Sequence, residues 1–368
     1  MFKLIVLVVF AVISGGACSE KIVKSGSQNR VQVSTNEQTQ RFGNSSVEWK
    51  NTPRIDIVDS ISKDRIWAVT AETAKLILTE DGGESWREVK DENIKFGFKL
   101  ISFINDTHGW AIADANQLFS TTNSGLSWNK QSGENLFANP SKIEFTDAAN
   151  GWVLDENHLF HSEDGGVSWK KISLTSDKYL KISFSDFFFL NSRQGWTCGI
   201  SDKAGLVHKT TDSGRSWNTI KITLQTSNPC EIFFVDSEKG WVNFGHFGKQ
   251  ELFSTSDGGR SWTKLSGLPK GFEIKSIFWF NSKDGLAAGY FHNAEIDAPR
   301  FGKGSILKTF NGGESWVEVE IDKDVPFFDR IHFSDSQNGW LTSRDSIYVT
   351  ANSGDTWKKS FNLPPLKE

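Results

Sequence analysis

Thr255-Ser256-Asp257-Gly258-Gly259-Arg260-Ser261-Trp262 is one copy of an octapeptide, Ser/Thr-x-Asp/Asn-x-Gly-x-Ser/Thr-Trp, that occurs seven times in this chain. The other copies run Thr79–Trp86, Thr121–Trp128, Ser162–Trp169, Thr210–Trp217, Thr309–Trp316 and Thr350–Trp357. Five fixed positions met seven times exclude chance. The Trp-to-Trp spacings of 42, 41, 48, 45, 54 and 41 residues are the size of propeller blades.

A second signature precedes each octapeptide. Ile101 to Trp110 and Ile143 to Trp152 both read apolar-x-Phe, a polar turn, then Gly-Trp, and Phe188–Trp196, Ile232–Trp241 and Ile331–Trp340 follow suit. The apolar-x-Phe run is a strand A and the Gly-Trp opens a strand B. A short apolar run into the octapeptide is a strand C, and the segment from its Trp is a strand D. Four short strands per unit with turn residues between them predict an all-β, seven-bladed propeller of four-stranded antiparallel blades with Asp-box hairpins, over residues 46–362. Trp67 stands at the strand B position of the first unit without the preceding Gly. The sixth unit has Leu286 there, and Trp279 on its strand A is expected to fill the vacated volume. Trp49 lies outside the repeats and is read as part of a strand that helps to close the ring.

The octapeptide has a physical logic. An Asp or Asn side chain accepts hydrogen bonds from nearby backbone N–H groups, the Gly permits positive φ, and the Trp folds back between strands. The acidic position is Asp81, Asp164, Asp212 and Asp257 in four copies, but Asn123, Asn311 and Asn352 in three. Asn keeps the acceptor oxygen and loses the charge. The motif, with Trp86, Trp128, Trp169, Trp217, Trp262, Trp316 and Trp357, is therefore a folding clip, not a catalytic or metal site.

Composition agrees with a large β domain. The 368 residues include 15 Trp and 29 Phe against one Met, with 37% hydrophobic and 13% aromatic residues. A net charge of −4 supplies no global basic field for nucleic acid. His158 and His161, three apart on a strand, point to opposite faces and cannot share an ion. The Gly-Gly pairs belong to the octapeptides and not to a phosphate loop. No cofactor or metal is expected.

Residues 1–17 read as an export signal: Lys3, a ten-residue apolar run from Leu4 to Ile13, then Ser14-Gly15-Gly16-Ala17 before Cys18. Ten apolar residues are too few to span a bilayer. Cys18 is expected to carry a lipid, and 18–45, rich in Ser, Gln, Asn, Lys and Thr, to be a disordered tether. Gly15 stands where a lipobox usually has Leu, and ordinary signal peptidase would cut the same bond. Residues 363–368 are a C-terminal tail. The product is expected in the bacterial periplasm or at the cell surface, as a monomer touching the membrane through its lipid only. Of the three cysteines, Cys198 and Cys230 remain after Cys18. Export permits a bridge between them, but spacing says nothing of their distance, and the reading favours two buried free thiols.

The repeat resembles the BNR/Asp-box superfamily, and within it the photosystem II stability/assembly factor family of bacterial and plastid propellers. The apolar-x-Phe…Gly-Trp…Ser/Thr-x-Asp-Gly-Gly-x-Ser-Trp unit and the leading Glu48-Trp49 segment carry the resemblance, over about residues 46–362. It implies an exported scaffold or assembly factor binding a protein or peptide on one propeller face, with no catalysis.

In propellers the B–C and D–A connections share one face, and the A–B turns and Asp-box hairpins the other. Length variation falls on the first. The longest B–C connection, Tyr290 to Gly304, brings Tyr290, Phe291, His292, Arg300, Phe301 and Lys303, and D–A connections add Tyr179, Lys181, Lys270 and Phe272. Aromatic and Arg side chains on a rigid rim suit a protein interface. The alternative is a glycoside hydrolase resembling sialidases, which also carry Asp-boxes. Against it, Asp56 follows Arg54-Ile55 where those enzymes have Arg-Ile-Pro, seven repeats replace six, and Tyr179, Tyr290 and Tyr348 have no evident Glu partner.

Overall fold

The structure, a computed structural model, describes residues 55–362 except 71–72, 92–93, 95–96, 132–135, 157, 173–181, 202–203, 223–229, 246–249, 293–302, 322–324 and 326. The signal, the tether, Cys18, Trp49 and the tail lie outside the described residues.

Seven four-stranded sheets form, each a simple meander in the order A-B-C-D. The first is Ile55–Ser60, Ile66–Thr70, Leu76–Thr79 and Arg87–Val89, and the seventh Phe328–Phe333, Gly339–Ser343, Ser346–Thr350 and Lys358–Asn362. The expected seven blades of antiparallel strands are all present. Strands A of neighbouring blades meet at six of the seven junctions, which places them innermost. Strands D are short and mostly exposed. The core is therefore a ring of wedges between blades.

The Gly-Trp signature explains how each wedge is filled. In blade 2 Phe103 pairs with Gly109 across the A–B ladder. A Cβ on Gly109 would come within 2.4 Å of the Phe103 ring, so only glycine lets that ring lie flat on the backbone. The other face of Phe103 stacks on Trp67 of blade 1, with 3.8 Å between centroids and 10° between planes. The same parallel stack joins Trp110 to Phe145, Trp152 to Phe189 and Trp196 to Phe234. Fully buried rings of this kind contribute several kcal/mol each, about 25 cal/mol per Å² of apolar surface removed from water.

Two departures are corrections to the sequence reading. Trp279 does not fill the space left by Leu286; it occupies the Phe position of its own blade and stacks on Trp241 of blade 5, at 3.7 Å and 3°. Beside Leu286, Phe278 and Phe280 pack against Phe333 instead. Secondly, Cys198 of strand B in blade 4 and Cys230 of strand A in blade 5 form a disulfide, with Cα atoms 6.2 Å apart. Two strands that the chain separates by 32 residues are neighbours across one blade junction.

The ring closes between blades 7 and 1 with no strand exchanged between the chain ends among the described residues. Strand A of blade 1 meets strands A and B of blade 7. Ile55 N–H donates to Arg344 O at 2.8 Å, and Trp86 Nε1 donates to Ser360 Oγ at 3.2 Å. At this junction the aromatic–glycine pair is inverted. Ser60 stands at the Phe position and Ile66 at the Gly position opposite it, so Trp340 packs in a cluster with Ile66 instead of on a ring.

Candidate functional site

Every Asp-box closes with the same bonds. In blade 5, Thr255 Oγ1 donates to Asp257 Oδ1 at 2.8 Å and accepts the Gly259 N–H at 2.9 Å. Asp257 accepts the Ser261 N–H at 2.9 Å and the Ser261 hydroxyl at 2.6 Å. Where Asn replaces Asp, only one proton reverses: Asn123 Nδ2 donates to Ser127 Oγ at 2.8 Å, while Oδ1 still accepts from Thr121 and from the Ser127 N–H. Asn311 and Asn352 do likewise. The Ser216 hydroxyl, then the Ser216 N–H, hold the Asp212 carboxyl down to about 2. Asp81, Asp164 and Asp257 are lowered for the same reason, their serine hydroxyls first. These carboxylates are spent on the backbone.

The strand B tryptophans reach the next box. Trp110 Nε1 donates to Gly165 O at 2.8 Å, Trp196 to Gly258 O and Trp241 to Gly312 O at 3.0 Å, and Trp67 to Ser124 O at 3.1 Å. At these four junctions a positive-φ turn of the box thus presents a carbonyl to the preceding blade.

A second set of acids lines the inner strands. Strand A has a sheet partner on one edge only, so N–H groups on its free edge need acceptors. The preceding blade supplies them. Asp59 accepts the Phe103 N–H at 2.6 Å, Ser102 the Phe145 N–H at 2.9 Å, Asp186 the Ile232 N–H at 3.0 Å and Glu231 the Ile277 N–H at 3.1 Å. Lys142 Nζ donates to Asp186 at 2.9 Å and to Phe187 O at 2.6 Å. Burial, reinforced by the Asp186 charge, pushes the Glu231 carboxyl up to about 8. Burial likewise takes Glu144 to about 7 against the pull of Lys142. A raised carboxyl pKa is one mark of catalytic acids. Here the geometry assigns the group to stitching neighbouring blades. Alternation of acid and apolar residues in strands A carried this signal in the sequence, and it went unread there. Among the described residues no group of three His, Cys, Asp or Glu is placed to hold a metal ion.

Partner binding is expected on the face carrying the B–C and D–A connections. Tyr179, Lys181, Arg300 and Phe301 lie outside the described residues. In blade 6 strands B and C run further than their sequence suggests, Gly285–Phe291 and Lys303–Thr309, with Phe291 paired to Lys303, so the connection is shorter than Tyr290 to Gly304. Phe272 and Tyr290 are 2% and 4% exposed and belong to the core, a correction to their reading as surface anchors. Phe291 is half-buried with its ring edge-on to Phe272 at 5.1 Å. Lys270 is exposed, and exposed Lys303 pairs with Glu318 at 2.8 Å.

Beneath this rim lies a charged node that sequence reading missed. Glu273 is fully buried on strand A. Lys275 Nζ donates to its Oε1 at 2.9 Å, and His292 Nε2 lies 2.6 Å from its Oε2. Burial, then the charge of Glu273, pushes the Tyr290 phenol well above its usual range. A buried carboxylate with this many partners pins the ends of strands A and B together and sets where His292 stands on the rim. Tyr348 packs edge-on to Phe328 at 5.7 Å and is buried, so neither described tyrosine stands in an open cleft.

Similar solved structures show the same fold. A YCF48 bound to D1 peptide matches with a TM-score of 0.61 at 18% identity, covering 82% of this chain and 93% of that one. YCF48 from Cyanidioschyzon merolae matches at 0.62 and 16%, covering 83% and 98%. The GH74 xyloglucanase from Xanthomonas campestris matches at 0.64 and 12%, covering 85% of this chain and 55% of the enzyme. Comparison of the sequence with curated proteins gives no match. The model of the family described as Photosynthesis system II assembly factor YCF48 matches residues 132–227 and 217–362, most of the propeller. With the Asp-boxes, the Gly-Trp wedges and the seven closed blades in place, the chain belongs to that family.

Proposed function

We propose that the protein is a non-catalytic binding propeller, exported and lipid-anchored at Cys18, that assists assembly or stability of a membrane complex by holding a peptide segment of one of its subunits. The observation that carries this reading is the family match over residues 132–362. A propeller of like fold is a YCF48 bound to D1 peptide, which fits a peptide as the guest. The described acids support binding over catalysis: Asp-box carboxylates hold turns, and the inner carboxylates hold neighbouring blades. The Cys198–Cys230 disulfide fits an oxidising compartment and so favours export.

Binding is placed on the face of the B–C and D–A connections, around His292, Lys270 and Lys303. A pull-down from detergent-solubilised membranes tests it, comparing wild type, a variant with 293–302 shortened to a tight turn, and Cys18→Ala. The shortened variant is expected to lose its partner while keeping its melting temperature, and Cys18→Ala to appear in the soluble fraction without incorporated fatty acid. Full recovery of every partner by the folded, shortened variant rules out this face. A wild type that captures nothing rules out the binding reading.

A further inference from the structure

We infer that the seam between blades 7 and 1, on the Asp-box face, is a second docking point, which takes an acidic peptide segment. It rests on the reading that this propeller binds a protein.

The seam holds a cavity of about 370 Å³ bordered by Lys63 and Asp64 of the blade 1 A–B turn, Gly82 of the first Asp-box, and Trp340, Trp357 and Lys358 of blade 7. Its origin lies in the inverted pair described above. At four junctions the strand B Trp donates its indole N–H to the next box. Trp340 has Ile66 and not a ring to rest on, and its buried N–H has no acceptor, although it is 2% exposed. A buried N–H without an acceptor is destabilising. Trp152 is the other strand B indole without an acceptor, but there His161 stacks on the ring at 3.8 Å and fills the groove. At the equivalent place on Trp340 stands Val349, which borders the cavity.

Charge chooses the guest. Lys63 and Lys358 are exposed, and among the described residues neither forms an ion pair within 4 Å. Asp64 is the one acid bordering the cavity. Asp335, which feels Lys63, is already bonded to Asn338 and to the Gln337 N–H. Two exposed cations against one acid suit a carboxylate-bearing peptide.

A cavity of about 310 Å³ at the junction of blades 5 and 6 serves as an internal comparison. It also has two lysines and one acid, Lys239, Lys283 and Glu314. There Trp241 is satisfied by Gly312 O, and Lys239 lies over the Trp241 ring at 4.8 Å. Lys239, one of its two cations, is engaged on the ring, so it should bind acidic peptide less well.

The probe is a short fluorescein-labelled peptide of Asp, Glu, Ser and Gly, titrated with the folded propeller by fluorescence anisotropy at low salt, with an Asn/Gln version as control. Wild type is expected to bind the acidic probe and not the control. Lys63→Glu with Lys358→Glu should weaken binding about tenfold or more, since charge reversal turns steering into repulsion. Lys239→Glu with Lys283→Glu, remote from the seam, should change it less than about twofold. Absent binding by wild type, unchanged binding in the folded Lys63/Lys358 variant, or loss in the Lys239/Lys283 variant instead, each overturns the assignment. If the seam variants still capture the membrane partner in the pull-down above and fail only with the probe, the binding function stands and the seam is not its contact.

Discussion

The Trp196 indole lies flat on Phe234 of the following blade, 3.6 Å from centroid to centroid and 8° from parallel, while its N–H reaches the Gly258 carbonyl of that blade's Asp-box. One side chain thus joins two blades twice, by burial and by a hydrogen bond. The propeller is held by such links more than by its thin outer strands.

This makes the relative worth of the recurring positions of the repeat testable. Trp196→Ala should destabilise by about 3–5 kcal/mol, as large aromatic truncations do in cores. Asp257→Asn should stay within about 0.5 kcal/mol, because the Asn boxes show that the Ser hydroxyl simply turns round. Half-buried Trp262 should fall between them. Urea denaturation of the three variants decides it. An Asp257→Asn cost equal to that of Trp196→Ala would contradict the hydrogen-bond account.

Glu231 predicts a pH dependence. Its carboxyl is raised to about 8 from an ordinary 4.5, by burial first and then by Asp186. The neutral form is favoured in the fold, so its stabilising contribution is complete below 4.5 and is lost as pH rises through about 8. Glu231→Gln keeps an acceptor for the Ile277 N–H and removes the charge. Melting temperatures of variant and wild type should therefore agree near pH 5 and diverge in favour of the variant near pH 9. A gap of constant size across that range sinks the argument.

His161 works in the opposite sense. Stacked on Trp152, it is held neutral by burial, down to about 4 from 6.5. Stability from this group is present above pH 6.5 and is lost as pH falls through about 4. His161→Phe keeps the stack and should retain more of its stability than wild type between pH 6 and 4. Parallel melting curves for the two proteins over that interval would count against it.

The disulfide crosses a blade junction and closes a loop of 32 residues. The chain-entropy estimate puts its contribution at about 3–4 kcal/mol. Cys198→Ala with Cys230→Ala, or wild type with reductant, should shift the urea midpoint down accordingly. A midpoint that reductant leaves unmoved, with free thiols absent by titration of the oxidised protein, would show that the bridge adds nothing to stability.

At the seam, Ser60 and Ile66 are predicted to act as one unit. Ser60→Phe alone overpacks and Ile66→Gly alone opens a cavity, each costing about 1–3 kcal/mol or more. Together they recreate the pair of the other blades, so the double variant should be less destabilised than the sum. Strict additivity in a double-mutant cycle would mean that the two side chains do not share one space.

The architecture is legible in the chain's short-range pattern. Seven octapeptides, five of them with a Gly-Trp upstream, state blade number, strand order and the positions of every Asp-box hairpin, because those features depend on residues close together in the chain. The Asn-for-Asp exchanges also showed, without coordinates, that the boxes are clips. What joins one blade to the next was decided only in the tertiary structure. The place of Trp279, the bridge between Cys198 and Cys230, the inversion at Ser60 and Ile66, the burial of Tyr290 and Phe272, and the partners of Glu231 and Glu273 all arise between strands that are tens of residues apart. Local spacing carries no distance information across a junction: whether two thiols meet, or a ring lies against glycine or solvent, is settled by how adjacent wedges pack, and it is at those junctions that the candidate surfaces lie.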